Sequence, residues 1–285
     1  MEQAHEELLR GTRIIRNLQP SKLDVEGKLV KLPRKGRVII VGDLHGDLNS
    51  LETILEDCQF VKRVETGEKL FLVFLGDYID RGPDQLGVLL KTTELLIENP
   101  SNIIMLRGNH EGPEDVVARP HDFPRKLMHK IGNSWQTVYN AFRGLAGELY
   151  TAAIIPKVAF IAHGGIPTNT SKLEKIASAH IDHPEEPTLV EILWNDPRKG
   201  KGITPSFRGV GHYFGEDLLR KFLEEHKLNM LIRGHESAPN GYMLQGKVLT
   251  LFSCKLPHYG NQEAAYLEMP LDESIKDIED LVHQI

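Results

Sequence analysis

Cysteine is scarce in this 285-residue chain: Cys58 and Cys254 are the only two. Two thiols cannot build a disulfide framework, so a reducing, cytoplasmic setting is the expectation. Long apolar runs are missing as well. The longest reach about six residues, far short of the ~20 that cross a bilayer, and no membrane association is expected. The N-terminal MEQAHEELLRGTRIIRNL is charged, has a helical period and lacks a signal-peptide core. Basic excess is absent too: 34 Lys and Arg stand against 40 Asp and Glu, a net charge of −6. That argues against sequence-independent nucleic-acid binding, which needs a basic face, and leaves room for a local positive pocket. Internal repeats, low-complexity tracts and Gly/Ser-rich linkers are also lacking. What is there is ordinary globular composition, 40% hydrophobic and 26% charged. The length suits one large α/β domain or two small ones.

Residues 4–18 read as an amphipathic helix, and 19–36 as a polar lead-in in which Pro20 and Pro33 mark turns. Beyond it one pattern recurs: a short β-rich run, a cluster of Gly, Asp, His or Asn, then a helix. Val38 to Val41 runs into GDLHGD and a helix over 48–58. Leu70 to Leu75 runs into GDYIDRG and a helix from about Asp84 to Glu98. Ile103 to Leu106 runs into RGNHE, with two helical stretches over 113–147. Val158 to Ala162 leads to HGG, and Met230 to Ile232 to RGHE. Residues 242–269 read as hairpin-like strands and 272–284 as a closing helix. Strand cores that are apolar throughout imply burial on both faces. Ligands of such sheets collect beyond the carboxyl ends of strands, and five polar ends of one kind imply one shared site.

In GDLHGD, Asp43 and His45 stand two apart, so extended backbone turns both side chains to one side. Asp with a neutral His suits zinc, iron or manganese better than calcium. Alone, the pair reads equally well as a helix cap and a core histidine; Asp47, directly before the helix, is such a cap. Asp77 holds in GDYIDRG the position that Asp43 holds in GDLHGD, and a carboxylate there can bridge two cations. Asp80 and Arg81 follow, and the guanidinium offers planar, bidentate donors for a phosphoryl group. His163 and His235 would each read as structural in isolation. With Asn109 they make a second nitrogen- and oxygen-rich set that shares Asp77. The sum is a two-metal centre: Asp43, His45 and Asp77 on one ion, Asp77, Asn109, His163 and His235 on the other. Two such ions acidify a bridging water and clamp an in-line displacement at phosphorus. In FRGVGHYFG, Arg208 lies in a turn-like segment that can aim it into the same cleft; a surface arginine is the equal alternative.

Taken in order, GDLHG, GDYIDRG, LRGNHE, HGG, ILWNDP, RGVGHYFG, RGHE and LFSCKLPHYG resemble the PPP-family serine/threonine phosphoprotein phosphatases of the calcineurin-like metallophosphoesterase superfamily. The resemblance covers about residues 36–270. It implies an α/β (α+β) fold, a sandwich of two mixed β-sheets flanked by helices. Residues 1–36 would be a helix and lead-in packed on the core, and 37–285 a single catalytic domain. It implies Asp43, His45, Asp77, Asn109, His163 and His235 as ligands of two divalent ions, manganese foremost in vitro, iron or zinc otherwise. It also implies His110 as general acid oriented by Asp80, and Arg81 and Arg208 as phosphate holders, with Asn109 and Tyr259 also meeting substrate. The implied reaction is direct attack on phosphoserine or phosphothreonine of a protein substrate by a metal-bridging hydroxide, without a phosphoenzyme.

The chain departs from the eukaryotic pattern at several points. Asp47 stands where those members usually carry Gln, and RGHE has Gly and Glu for Ala and Gln. FSCKLPHYGNQ replaces Phe-Ser-Ala-Pro-Asn-Tyr-Cys-Gly, setting Tyr259 two residues further from Ser253 than the loop tyrosine. No autoinhibitory or calmodulin-binding tail is expected, and a compact prokaryotic, archaeal-type member is. Regulatory subunits are left unassigned. The alternative activities are a symmetrical diadenosine tetraphosphate hydrolase and an inactive phosphoprotein-binding scaffold. Glu111 is expected to make a local structural contact, and His121, His129, His180 and His212 have no assigned role.

Overall fold

The computed structural model describes residues 2–17, 23–271 and 277–285. Its helices are α1 (Glu2–Asn17), α2 (Leu48–Cys58), α3 (Phe60–Glu65), α4 (Gln85–Glu98) and α5 (Phe123–Ile131). They continue with α6 (Trp135–Glu148), α7 (Leu173–Asp182), α8 (Thr188–Trp194) and α9 (Glu216–Glu225). The first strands are β1 (Asp24–Glu26), β2 (Leu29–Lys31), β3 (Arg37–Val41), β4 (Leu70–Phe74) and β5 (Ile103–Met105). Next come β6 (Ala152–Ile155), β7 (Ala159–Ala162), β8 (Asp196–Arg198), β9 (Ile203–Pro205) and β10 (His212–Gly215). The last are β11 (Met230–Arg233), β12 (Tyr242–Gln245), β13 (Val248–Leu251), β14 (Ala265–Pro270) and β15 (Val282–Gln284).

Among the described residues these strands make two large mixed sheets and one small one. The first has the order β15-β14-β3-β4-β5, the second β1-β2-β6-β7-β11-β13-β12, and the small one β8-β10-β9. Strands β3, β4 and β5 run parallel, and so do β7, β11 and β13. Every residue of β4 and of β7 is buried, as expected of strands covered on both faces. Isolated parallel bridges, Asp43 to Phe252 and Leu106 to Tyr150, join the two large sheets just past the ends of β3 and β5. The carboxyl ends of six parallel strands therefore meet along one seam.

The helices follow local chemistry. Asp47 caps α2 by accepting from Ser50 N at 3.1 Å, and its other oxygen takes Lys255 N at 2.7 Å. Asp84 caps α4 through Gly87 N at 2.9 Å. Helix α1 lays Leu8 and Ile15 into the main core, against α4 and α6.

Two elements differ from the sequence reading. Residues 113–122 are loop rather than helix, because Pro113 and Pro120 interrupt the ladder and helix begins only at Phe123. The closing helix over 272–284 is not formed in its described part. Glu279–Leu281 is a single 3-10 turn, and Val282–Gln284 pairs antiparallel with β14, so sheet hydrogen bonding outweighs the helical period. Residues 272–276 of that stretch lie outside the described residues. The hairpin expected over 242–269 is real for β12 and β13, whereas β14 joins the other large sheet. Among the described residues no helix is long and apolar enough to cross a membrane.

Candidate metal centre

Strands β3, β4 and β5 run out at Asp43, Asp77 and Asn109, and β7 and β11 at His163 and His235. These five residues and His45 are drawn together at the seam, none more than 7% exposed. Two groups of ligand atoms lie within 4.8 Å of one another: His45, Asp77 and His110, and Asp77, His163 and His235. Asp77 is common to both. His110 joins the first group, while Asp43 lies at its margin, Oδ2 3.8 Å from His45 Nε2.

The donor set suits divalent cations. His163 Nδ1 lies 3.0 Å from the carbonyl of Leu75, which can only accept, so the ring proton sits there and Nε2 keeps its lone pair. That Nε2 faces Asn109 Oδ1 at 2.8 Å and Asp77 Oδ1 at 3.4 Å. Asn109 Oδ1 in turn stands 3.0 Å from His235 Nδ1, and 3.1 and 3.2 Å from the Asp77 oxygens. A ring of acceptors closes on turning the amide so that its NH2 donates, or on a cation at the centre. Oxygen and imidazole nitrogen are the ligands manganese, iron and zinc take. His45 repeats the arrangement: Nδ1 donates to Ile79 O at 3.0 Å, and Nε2 points to Asp77 Oδ2 at 3.4 Å, taking Arg81 Nη1 at 3.1 Å.

Electrostatics agree. Burial pushes the Asp43 carboxyl up to about 7, and burial together with the charges of Asp43 and Glu111 raises Asp77 well above its usual range. Burial holds His45, His163 and His235 well below theirs, so the imidazoles are neutral, the form that binds metal.

The backbone is drawn tight around these groups. Non-glycine residues occupy the left-handed region at His45 (φ 44°), Asp77 (55°), Asp80 (66°), Arg81 (75°) and His235 (69°). Such conformations concentrate where surrounding structure over-determines them. Two glycines permit the close approach. A Cβ on Gly234 would lie 2.2 Å from Asp43 Oδ1, and one on Gly108 2.2 Å from Asp77 Oδ1. Glu111 is more than a local contact: its carboxylate takes Asp77 N at 2.8 Å, Tyr78 N at 3.0 Å and Gly108 N at 3.1 Å. It ties the loop after β4 to the loop after β5.

Beside the acceptors stands a proton-carrying pair. His110 Nδ1 lies 2.6 Å from Asp80 Oδ2, and its Nε2, buried and without a partner, is 4.0 Å from Asp77 Oδ2. Asp80 also receives His121 Nδ1 at 2.9 Å, and Asp122 N and Phe123 N at 2.9 Å each. Burial raises its pKa, but the bonds from His110 and His121 outweigh that and hold it at about 2. His121 Nε2 meets the Tyr139 hydroxyl at 2.9 Å. Asp80 can only accept, so His121 and His110 both donate to it from Nδ1.

The two arginines are held differently. Arg81 donates to the Tyr259 hydroxyl, and the Tyr259 ring stacks on His45 with centroids 5.7 Å apart. Arg208, in the turn between β9 and β10, donates from Nε to Asp196 Oδ2 at 2.8 Å. The other Asp196 oxygen takes Arg233 Nη2 at 2.7 Å, and Arg233 is fully buried. The charge of Arg208 is felt at Asp43, His163 and His235, whose proton affinity it lowers. Sequence reasoning missed His121, Tyr139, Asp196 and Arg233 as neighbours of the site. Asp196, inside ILWNDP, and Arg233, the first residue of RGHE, lay within motifs the sequence offered; His121 and Tyr139 did not.

Residues 36–239 match the calcineurin-like phosphoesterase family. A protein phosphatase 2A catalytic chain of Dictyostelium discoideum is 32% identical over 230 residues, covering 79% of this chain and 70% of that protein. Serine/threonine-protein phosphatase 5 of Arabidopsis thaliana is 30% identical over 261 residues, 90% of this chain but 45% of that protein. Among solved structures, a serine/threonine phosphatase from Saccharomyces cerevisiae with similarity to human phosphatase PP5 superposes with a TM-score of 0.78 at 24% identity. That match covers 100% of this chain and 88% of the other. A putative diadenosine tetraphosphatase gives 0.50 at 20% identity over 90% of this chain and 96% of the other. Both likenesses speak to the fold alone.

Proposed function

The chain belongs to the calcineurin-like phosphoesterase family, among the relatives of the serine/threonine protein phosphatases, and from that premise we propose that it hydrolyses phosphoserine and phosphothreonine in proteins. The observation that carries the reading is His110, with Nδ1 bound to Asp80 at 2.6 Å and Nε2 unpartnered beside the Asp77 acceptors. A serine or threonine alkoxide leaves poorly, so its departure needs a proton, and His110 Nε2 is the group to give it.

In this reading Asp43, His45, Asp77, Asn109, His163 and His235 would hold two divalent ions, Asp77 being common to both groups of ligand atoms. Manganese, iron and zinc all suit the ligand set, manganese foremost in vitro. When bound, the ions supply Lewis acidity and a nucleophile at neutral pH. Asp80 orients the His110 ring and stabilises its protonated form. Arg81 and Arg208 grip the phosphoryl oxygens, Asn109 borders them, and Tyr259 steadies Arg81 over the site. Residues 37–285 act as one catalytic domain, with 1–36 packed on it, working on phosphoproteins in the cytoplasm.

The test is turnover of phosphoserine, phosphothreonine and phosphotyrosine peptides against diadenosine tetraphosphate, with each metal in turn. Preference for the serine and threonine peptides is expected. A strong preference for the dinucleotide would make it a nucleotide hydrolase, and no turnover of any phosphoester with any metal would make it a binding scaffold.

A further inference from the structure

A cavity of about 510 Å³ opens where β8, the start of α9 and the β12–β13 turn meet, and none of the proposed ligands or phosphate-holding arginines lines it. Its floor is apolar, made of Phe214, Leu219 and Val248, which belong to one buried cluster. Its rim is basic. Arg198, Lys199, Arg220 and Lys247 surround it against one carboxylate, Glu216, in a chain whose net charge is −6. Among the described residues none of these four cations makes an ion pair, although acidic residues outnumber basic ones overall. Arg198 spends one nitrogen on the carbonyl of Lys201 at 2.7 Å, while its Nε is buried without a partner. Unpaired cations crowded round an apolar floor repel one another and are relieved by an anionic partner.

The walls decide what kind of anion. Among the described residues, strand β8 is terminal in the small sheet and pairs only with β10, and β12 is terminal in its large sheet and pairs only with β13. Pro197 and Arg198 of β8 and Leu244 and Gln245 of β12 both border the cavity. Pro197 has no N–H to offer, so β12 is the edge that can take another strand. An extended peptide laid on that edge alternates its side chains, sending one set to the floor and leaving acidic neighbours for the rim.

We propose that this cavity is a docking site for an extended segment of a partner protein, acidic in its flanks and carrying a bulky apolar residue that fills the Phe214–Leu219–Val248 floor. The proposal stands independently of the phosphatase reading, since no step of it uses the metal centre.

Fluorescence anisotropy with the labelled peptide DEFELDE tests it, against the charge-reversed KKFKLKK and the apolar-deleted DESESDE. DEFELDE should bind in the micromolar range, and both controls at least about tenfold more weakly. The double variant Arg220→Glu with Lys247→Glu should lose about tenfold in affinity for DEFELDE while melting at the wild-type temperature. Hydrogen exchange of the Tyr242–Gln245 amides should slow when DEFELDE is bound. Failure of DEFELDE to bind, equal binding of KKFKLKK, or an unaltered affinity in the double variant overturns the site. Binding without protection of β12 overturns the added-strand geometry. Octyl phosphate binding where the peptide does not would make the cavity a small-anion site and overturn the protein partner.

Discussion

Asp80→Asn keeps the shape of a fully buried side chain and removes its charge. Oδ1 retains its two backbone donors, Asp122 N and Phe123 N. The new amide nitrogen then takes the Oδ2 position, 2.6 Å from His110 Nδ1 and 2.9 Å from His121 Nδ1. There it can only donate, so both imidazoles must turn Nδ1 from donor to acceptor. For His110 this leaves a neutral ring with its proton on Nε2, a far weaker acid than imidazolium, and removes the carboxylate that stabilised the charged ring. A positioned acid contributes about 100- to 10,000-fold. With the ring still in place, turnover of a phosphoserine peptide should fall about 100- to 1,000-fold, or ~3–4 kcal/mol of barrier. p-Nitrophenolate leaves without help, so p-nitrophenyl phosphate should lose only about tenfold or less. The assay is kcat on both substrates with metal analysis of each protein. Equal losses on the two would refute the proton-donor role of His110. Loss of metal would refute the separation of acid from ligands.

Three further outcomes are expected. Asp77→Asn should deplete both ions, because both groups of ligand atoms share that residue; metal analysis returning the wild-type complement would remove its bridging role. His121→Phe deletes one of Asp80's four donors and strands the Tyr139 hydroxyl. It should slow phosphopeptide turnover about tenfold, ~1.4 kcal/mol; an unchanged rate would show that Asp80 needs only His110 and the backbone. Metal-free, Asp43 and Asp77 hold protons more tightly folded than unfolded. Their contribution to stability is full below the ordinary carboxylate range; that of Asp43 is lost as pH rises through about 7, and that of Asp77 as pH rises through its own raised value. Manganese replaces those protons, so the rise in melting temperature on adding it should grow from pH 6 to pH 8. At a hundredfold excess over Kd the gain is ~2.7 kcal/mol, or about 5–10 °C. A shift that shrinks with pH would contradict the buried carboxylates as ligands.

The strand ends were legible in the sequence because the signal is local and repeated. An apolar run followed by Gly-Asp, Gly-Asn-His, His-Gly or Gly-His needs no knowledge of distant contacts, and six buried residues at one seam resulted from five such runs. The helix cap Asp47 was legible for the same reason. Misread stretches are those decided across the chain. The acidic segment ending in Val282–Gln284 carries a helical period, yet the free edge of β14 takes those residues as a strand. The small sheet around Arg208 depends on β8 meeting β10 in parallel, a pairing with no local signature.

His121 shows most clearly where local reading stops. It lies in a proline-rich loop with neither strand alternation nor helical period, 41 residues from the carboxylate it touches. Its placement depends on Pro113 and Pro120 keeping that loop out of helix, and on the start of α5, whose first amides also bind Asp80. The same carboxylate thus receives His110, a second histidine and a helix start. Any shift of α5 is felt at His110 through one shared carboxylate, with the α5 amides on Asp80 Oδ1 and His110 on Oδ2. The alignment of His110, the proposed acid, therefore depends on a loop and a helix that supply none of the proposed ligands or phosphate contacts. This is why Asp80 and His121, rather than the metal ligands, separate proton delivery from metal binding by experiment.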